Sequence, residues 1–400
     1  MLNAFSIAEV AEEKIATPTV TKATIICAIL ALVGIGAGLY AQVVGHEHAF
    51  ANTREMPWGI LIANYAYFAI ISTGLCLLAV LSHIFGHNRL TALANRMVYL
   101  SIVVIFGGFL IIGLELENPH RMLLYNMLSP NLTSNIWWMG TLYSMAVGFM
   151  FVEFYLILTK KYSMAVTLGV LGAIAELAAN TNLGAVFATL SARPFWYGSQ
   201  LPVYFLASAV MTGSAAIILF SNWAYKMRGE EMSQLTREGL QGAGKVMFST
   251  LVLLAIATTW KFIAAFSGAE EARLAALSLI QGPLSMNFWV FETVVGMLAP
   301  IVVMTLSRMK SQQALSAAAL MVLVGAYFQR FDIVVAGQIV PIYSGFDELP
   351  TYFSYIPSVA EFLIALGGFG LVGWIIRDVC QRVKQAGGRA LSLSSRPPAV

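Results

Sequence analysis

Ten long apolar stretches are the feature that most constrains the fold of this chain. Each is close to the ~20 residues that a helix needs to cross a bilayer. They span about residues 22–44, 58–85, 91–114, 135–158, 163–188, 199–223, 246–267, 286–307, 314–330 and 356–376. The chain is 58% hydrophobic and 11% charged, whereas a soluble domain has roughly 25% charged residues. The sequence therefore predicts an all-α, polytopic integral membrane protein with about ten transmembrane helices.

The first apolar stretch is longer than the ~7–15-residue apolar core of a secretory signal peptide, so we expect it to be retained as a helix. An Ala49-Phe50-Ala51 sequence follows this stretch and leaves cleavage as an open alternative.

The basic residues predict how the chain is oriented in the membrane. If the first loop faces outward, five basic residues lie on the outer side: Arg54, Arg121, Arg193, Arg273 and Arg330. Seventeen of the 23 then lie on the inner side, and Lys261 lies within a helix. Because cytoplasmic loops carry an excess of Lys and Arg, the pattern predicts a multi-pass protein of the bacterial cytoplasmic (inner) membrane with both termini cytoplasmic. The net charge of +3 reflects this topology and not nucleic-acid binding.

An internal repeat relates the second to fifth stretches to the sixth to ninth. The matching pairs, each 139 positions apart, are Tyr65 and Tyr204, Gly74 and Gly213, and Glu153 and Glu292. Parallel repeats are a known way to build membrane folds. The repeat predicts two parallel four-helix bundles, residues 58–198 and 199–345, with the first and last helices in the peripheral segments 1–57 and 346–400. Chance matching in an apolar sequence is the alternative.

Several ionisable residues lie inside the apolar stretches, where each costs at least ~2.5–3.5 kcal/mol on insertion scales. Most lie in the outer half of the membrane, together with two polar residues after the turn at 56–59: Glu115, Lys261, Glu292, Arg330, Asp332, Glu361, Asn64 and Tyr65. This concentration predicts a functional site near the outer face. His83, Glu153 and Glu176 continue inward and suggest a proton path. The alternative is that these groups only pair and lock helices together, for example Lys261 with a glutamate.

Histidine and cysteine are too scarce and too scattered for the common redox cofactors. A haem inside a helical bundle needs facing axial histidines, and only His83 lies in an apolar stretch. Cys27, Cys76 and Cys380 do not form an iron–sulfur motif. His46 and His48 are expected to be surface residues and not metal ligands. The sequence therefore predicts no haem, iron–sulfur cluster or metal site in this chain.

Several short motifs are spread over most of the chain. They are Pro57-Trp58-Gly59, Tyr65 with Ser72-Thr73-Gly74, Glu115-Leu116-Glu117-Asn118-Pro119-His120-Arg121, Ala192-Arg193-Pro194-Phe195-Trp196, Phe288-Trp289-Val290-Phe291-Glu292, Arg330-Phe331-Asp332 and Val335-Ala336-Gly337-Gln338-Ile339-Val340-Pro341. In these motifs the chain resembles the NrfD-like family, the membrane subunit of polysulfide reductase and related respiratory complexes. It departs from the family pattern with Glu115 in place of Asp and His120 in place of Glu, and it has Tyr65 where some members have a histidine near the quinone.

The resemblance implies an integral subunit without its own haem or cluster that binds a quinone near the outer face. The substrate would be menaquinone or ubiquinone, and the partners would be iron–sulfur and/or multihaem cytochrome subunits docked on the periplasmic side. As a hypothesis, Asn64, Tyr65, Arg330 and Asp332 bind the quinone. Glu115 and Glu292 would relay protons in catalysis, because burial raises a carboxyl pKa toward a useful range.

Three other functions stay open from the sequence. A secondary transporter or ion-conducting protein would also have about ten helices and a repeat. Transporter sites usually lie at broken helices near mid-membrane between inverted repeats, so a parallel repeat with an off-centre polar cluster disfavours that class. A passive anchor for a periplasmic enzyme, and a quinone-reactive subunit that also translocates protons, are the remaining alternatives.

Overall fold

The computed structural model describes residues 22–85, 88–228, 231–342 and 349–394, and no β-strand occurs in these ranges. The outermost parts of both predicted cytoplasmic tails, as well as His87 and Glu230, lie outside the described residues. The helices in chain order are α1 (Lys22–Val44), α2 (His46–Ala49), α3 (Ile60–Phe85), α4 (Asn88–Glu115), α5 (Pro119–Leu128), α6 (Asn135–Leu158), α7 (Tyr162–Ala188), α8 (Gln200–Arg228), α9 (Gln234–Phe266), α10 (Glu270–Ile280), α11 (a π-helix, Asn287–Leu298, continued by an α-helix, Ala299–Leu306), α12 (Gln312–Ala336) and α13 (Val359–Ser394).

Ten helices in the described part of the chain are long and apolar enough to cross a membrane: α1, α3, α4, α6, α7, α8, α9, α11, α12 and α13. Each contains one of the ten apolar stretches, so the predicted all-α membrane fold is confirmed. The short helices α2, α5 and α10 lie in the connections between spanning helices.

Serine residues begin several of the spanning helices. The Oγ atoms of Ser134, Ser233 and Ser311 accept a hydrogen bond from a backbone N–H in the first turn of α6, α9 and α12, respectively. A side-chain cap of this kind satisfies one of the four N–H groups that a helix start leaves without a partner. These caps define where the chain enters the bundle after each connecting loop.

Glycines bring pairs of helices into backbone contact. At the centre of the bundle, α3 and α8 cross at Gly74 and Gly213, where the two backbones leave no space for a Cβ atom. At the periphery, α1 packs on α13 with Gly34 against Gly367. Small residues permit this close approach, which stabilises helix pairs in membranes by van der Waals contact. Gly74 and Gly213 are a predicted repeat pair, and the repeat and its domain boundaries stay predictions.

One end of the bundle is closed by hydrogen bonds between distant loops. Gln338 exchanges hydrogen bonds with the backbone N–H and C=O of Trp58, at 3.1 and 2.9 Å. The Arg193 guanidinium donates to the carbonyl oxygens of Gln338, Val340 and Glu55. Three of the sequence motifs therefore meet in one structural network. The basic-residue pattern predicts that this end, called the outer end below, faces away from the cytoplasm.

Candidate functional site

A cavity of about 500 Å³ lies at the outer end, where α3, α11, α12 and the start of α13 meet. Its walls are mainly apolar and aromatic, and three side chains contribute polar atoms. The lining residues are Ile60, Asn287, Tyr327, Phe328, Phe331, Pro357, Ser358, Val359 and Phe362. A concave apolar space with a few polar groups is the usual form of a small-molecule site, and we call it the outer cavity.

The first polar group of the outer cavity is the Tyr327 hydroxyl, which is held by Asn64. The Asn64 amide lies 3.5 Å from the Tyr327 oxygen and donates to the carbonyl of Ile60 at 3.0 Å. Asn64 is fully buried, and its own side-chain oxygen has no hydrogen-bond partner among the described residues. The Asn64 amide thus orients a tyrosine whose hydroxyl hydrogen is free to point at a bound molecule.

The second polar group is Asn287, which is held by Asp332. The Asn287 amide donates to one carboxylate oxygen of Asp332 at 3.3 Å, while the other oxygen is buried without a partner in the described part of the chain. Asp332 is 1% exposed, and an unpaired carboxylate at that depth is costly. The predicted quinone-binding residue Asp332 therefore lies behind the cavity wall, one side chain away from the cavity.

The π-helical part of α11 determines where Asn287 and Glu292 point. Hydrogen bonds in a π-helix join residues five positions apart, so these two residues are one hydrogen-bonded turn apart. In an α-helix, five residues would separate their directions by about 140°. Both side chains instead reach α12, where Asn287 bonds Asp332 and Glu292 accepts from Gln329 at 3.3 Å. Segments of π-helix occur frequently at functional sites.

Glu292 belongs to a buried polar cluster between α8, α9, α11 and α12. The Gln329 amide donates to the Tyr204 hydroxyl at 2.6 Å, and that hydroxyl lies 2.9 Å from the hydroxyl oxygen of Thr258. A small cavity of about 10 Å³ adjoins Glu292 and Gln329, which is close to the space that one water molecule needs. The predicted proton-relay residue Glu292 is therefore enclosed and surrounded by groups that exchange protons.

Arg330 points away from the outer cavity into the same cluster. It is fully buried, donates to the Ser208 hydroxyl and to Gln329, and lies 4.1 Å above the ring of Phe205. Its Nε and Nη1 groups have no hydrogen-bond partner within the residues that the structure describes. Arg330 therefore does not reach the cavity that Asp332 adjoins.

Lys261, at the outer end of α9, makes a cation–π contact. Its ammonium nitrogen lies 4.0 Å from the centre of the Phe195 ring. No carboxylate in the described ranges forms an ion pair with it. The suggested Lys261–glutamate pair is therefore not formed there.

Tyr65 lies in a separate cluster of the first four spanning helices after α1. Its ring packs edge-on against Tyr143, with 6.2 Å between the ring centres. Nearby, the carboxylate of Glu176 accepts hydrogen bonds from Thr73 at 2.6 Å and Ser72 at 3.4 Å. The structure therefore places Tyr65 with the predicted proton-path residue Glu176 and apart from the outer cavity.

His83 and Glu153 form a second buried pair, farther from the outer end. The His83 Nδ1 atom lies 3.9 Å from a carboxylate oxygen of Glu153, and neither that nitrogen nor the carboxylate makes a hydrogen bond to a described residue. Glu153 also packs against Gly169 of α7. The three predicted proton-path residues thus form two groups along the bundle.

Glu115 lies at the outer end of α4, partly buried, and does not line the outer cavity. Its charged neighbour is Glu361 of α13. Glu361 is itself fully buried and accepts hydrogen bonds from the Ala51 and Ser358 N–H groups and the Tyr355 hydroxyl. Burial and the Glu361 charge raise the pKa of Tyr355, so this tyrosine stays a neutral donor. Glu361 therefore has a structural role in fastening the start of α13.

Sequence reasoning missed Asn287, Tyr327, Gln329 and Ser358 as residues of these sites. Gln329 was detectable as a polar residue beside Arg330 in an apolar stretch. Asn287 begins its stretch and Tyr327 lies among aromatic residues, so each looks like an ordinary interfacial side chain. Their placement depends on the π-helix and on the packing of α12, which local sequence does not reveal.

Comparison with known proteins agrees with this arrangement. A selenate reductase subunit from Mesobacillus selenatarsenatis is 21% identical over 393 residues, which cover 87% of this chain and 90% of that protein. The Hdr-like menaquinol oxidoreductase integral membrane subunit of Archaeoglobus fulgidus is 22% identical over 359 residues, covering 84% and 87%. Both similarities extend over nearly the whole of each chain.

Fold and sequence together define a multi-pass helical membrane protein with a small-molecule cavity at one end. The family model described as polysulphide reductase, NrfD matches residues 48–342. The chain belongs to the NrfD family, as its motifs predicted.

Proposed function

We propose that this chain is the quinone- or quinol-binding membrane subunit of an oxidoreductase complex, with the outer cavity as the quinone site. The observation that carries the proposal is the outer cavity itself, flanked by the Asn64–Tyr327 and Asn287–Asp332 pairs. Two of the four residues expected to bind quinone thus support polar side chains that line it.

The shape and lining of the outer cavity suit a quinone ring. Its volume of about 500 Å³ lies within the roughly 300–1,000 Å³ typical of small-molecule sites. Phe328 and Phe331 provide flat apolar surfaces for a ring, and an apolar lining suits a substrate that arrives through the lipid. The substrate would be menaquinone or ubiquinone.

The polar groups can handle both redox forms of the substrate. Reduction of a quinone consumes two electrons and two protons and converts both carbonyl groups to hydroxyls, and oxidation of the quinol reverses this. The Tyr327 hydroxyl can donate to a quinone carbonyl. Asn287 has already committed an amide hydrogen to Asp332, so its oxygen is available to accept from a quinol hydroxyl. These two residues would therefore bind opposite redox forms of the same oxygen atoms.

Protons would move through the carboxylates behind the wall of the outer cavity. Asp332 adjoins Asn287, and Glu292 is close enough to Asp332 to interact with it electrostatically. Glu115 would serve at the outer surface, and Tyr65, Glu176, Glu153 and His83 form the candidates for a route deeper into the bundle. Whether protons cross the membrane depends on these last groups.

Electrons would come from, or go to, a partner subunit docked at the outer end. The two relatives are named as a subunit of a selenate reductase and as the membrane subunit of a menaquinol oxidoreductase, which supports a multi-subunit redox complex. Iron–sulfur and/or multihaem cytochrome subunits have the required chemistry. We place the chain in the bacterial inner membrane with both termini cytoplasmic, which puts the outer cavity on the periplasmic side.

The test is Tyr327→Phe in the assembled complex. Loss of one hydrogen bond to the substrate should weaken binding of a soluble quinone analogue about tenfold, with less effect on the fold. The matched control is Tyr197→Phe, because Tyr197 is 61% exposed and lies in an outer loop. Equal analogue affinity and quinone-linked turnover in Tyr327→Phe, Tyr197→Phe and the unchanged protein would rule out this cavity as the quinone site.

A further inference from the structure

A second, larger groove lies at the opposite end of the bundle from the outer cavity. It measures about 940 Å³ and is bounded by the end of α8, the start of α9 and the start of α12. We call it the inner groove, since the basic-residue pattern predicts that this end faces the cytoplasm. Its lining includes Lys226, Arg237 and Gln312, and also Leu219, Phe220 and Leu320.

Polar and apolar groups in the inner groove are sorted by depth. On α12, Gln312 lines the mouth and Leu320 lies eight residues further along, about 12 Å deeper at 1.5 Å per residue. On α8, Lys226 lies near the mouth and Leu219 lies seven residues back, about 10 Å deeper. A charged mouth with an apolar interior suits an amphipathic ligand that lies along the helices.

The charge at the mouth is positive. Lys226 and Arg237 are exposed, and no carboxylate is among the described residues that line the groove. Of the acidic residues in the adjoining segment, Glu238 accepts a hydrogen bond from Gln234. Trp223, also in the lining, has the amphipathic ring that is enriched at the membrane–water interface.

Gln312 adds an unsatisfied polar atom at the mouth. Its amide nitrogen lies 3.4 Å from the backbone carbonyl oxygen of Arg237, and its side-chain oxygen is buried without a partner among the described residues. A ligand carrying hydroxyl or ammonium donors beside its anionic group would satisfy this oxygen.

We propose that the inner groove binds an anionic phospholipid, with its phosphate between Lys226 and Arg237 and an acyl chain along Leu219 and Leu320. Basic pockets between transmembrane helices on the cytoplasmic side are suited to acidic lipid headgroups. The lipid would fill the gap between α8 and α12 and stabilise the second group of helices.

A competing occupant would be the isoprenoid tail of the quinone. Gln313, Leu320 and Tyr327 are spaced seven residues apart on α12, so they lie on nearly one face. Gln313 and Leu320 line the inner groove, whereas Tyr327 lines the outer cavity. A quinone tail that followed this face inward would occupy the apolar part of the inner groove without using its cations.

The experiment compares lipids that share acyl chains and differ in headgroup. The delipidated protein, purified in its complex, is titrated with dioleoyl phosphatidylglycerol, dioleoyl phosphatidylcholine or inorganic phosphate, and bound lipid is counted by native mass spectrometry. Each cation near an anionic headgroup is worth about fivefold in affinity. The double variant Lys226→Gln, Arg237→Gln should therefore bind phosphatidylglycerol about thirtyfold more weakly.

The matched control is Lys160→Gln, Lys161→Gln, which removes two exposed lysines from the loop between α6 and α7 at the same end. This control should bind phosphatidylglycerol like the unchanged protein. Ala317→Phe fills the apolar part of the groove and keeps both cations, so it should also weaken binding.

Four results would overturn the proposal: equal binding of both lipids, equal loss in the two double variants, full displacement by inorganic phosphate, or unchanged lipid binding with loss of bound quinone. The last result would assign the groove to the quinone tail.

Discussion

Gln338 offers the sharpest test of how the outer end is held together. Its side chain is 1% exposed and makes three hydrogen bonds: it accepts from the Trp58 N–H at 3.1 Å and donates to the carbonyls of Trp58 and Val334 at 2.9 and 2.8 Å. The two bonds to Trp58 join the loop before α3 to the chain after α12. Gln338→Ala removes all three bonds and leaves the Trp58 N–H without this partner.

The expected loss follows from these contacts. Three hydrogen bonds at about 1 kcal/mol each give a loss of about 3 kcal/mol in the free energy of unfolding. The Trp58 ring also stacks on Trp196, with 5.4 Å between the ring centres, so the loop it anchors should loosen. Since Ile60 lines the outer cavity just after this loop, affinity for a quinone analogue should fall as well.

The measurement is unfolding in increasing dodecyl sulfate, followed by circular dichroism, for the purified protein and two variants. The control is Gln281→Ala, because Gln281 is an exposed residue of an outer loop and surface changes usually stay within about 0.5 kcal/mol. A Gln338→Ala variant that unfolds within about 0.5 kcal/mol of the Gln281→Ala control would show that the loop-to-loop bonds do not hold this end.

Three further substitutions test packing and charge. Gly325→Ala should destabilise by about 1–3 kcal/mol, because the Gly296 backbone occupies the space of a new methyl group; Gly36→Ala, with open space around it, should be neutral or slightly stabilising in the same unfolding assay. Glu361→Gln should cost about 1–2 kcal/mol, because an amide cannot accept all three hydrogen bonds that the carboxylate accepts. Burial lowers the pKa of His46, so its stabilising contribution is present above about pH 6.5 and declines as the pH falls. His46→Gln should reduce that decline in unfolding measurements between about pH 7.5 and 5.

The sequence alone determined the class of fold and the end of the molecule where the outer cavity lies. Both follow from strong physical constraints: an apolar run of about 20 residues is a membrane span, and a buried polar residue needs a partner or a function. Asn64 and Asp332 were found in this way, and both support residues of the outer cavity. The motifs also predicted the family, because they combine residue types whose arrangement is shared across it.

Only the tertiary structure decided which of these polar residues face one another. Successive residues of an α-helix point about 100° apart, so the adjacent Asn64 and Tyr65 separate, one toward Tyr327 and the other toward Tyr143. In the same way Arg330 and Asp332, two residues apart, diverge by about 200° into different clusters. Position in the sequence specifies how deep a helical residue lies in the membrane, whereas its neighbours depend on how each helix is rotated in the packed bundle.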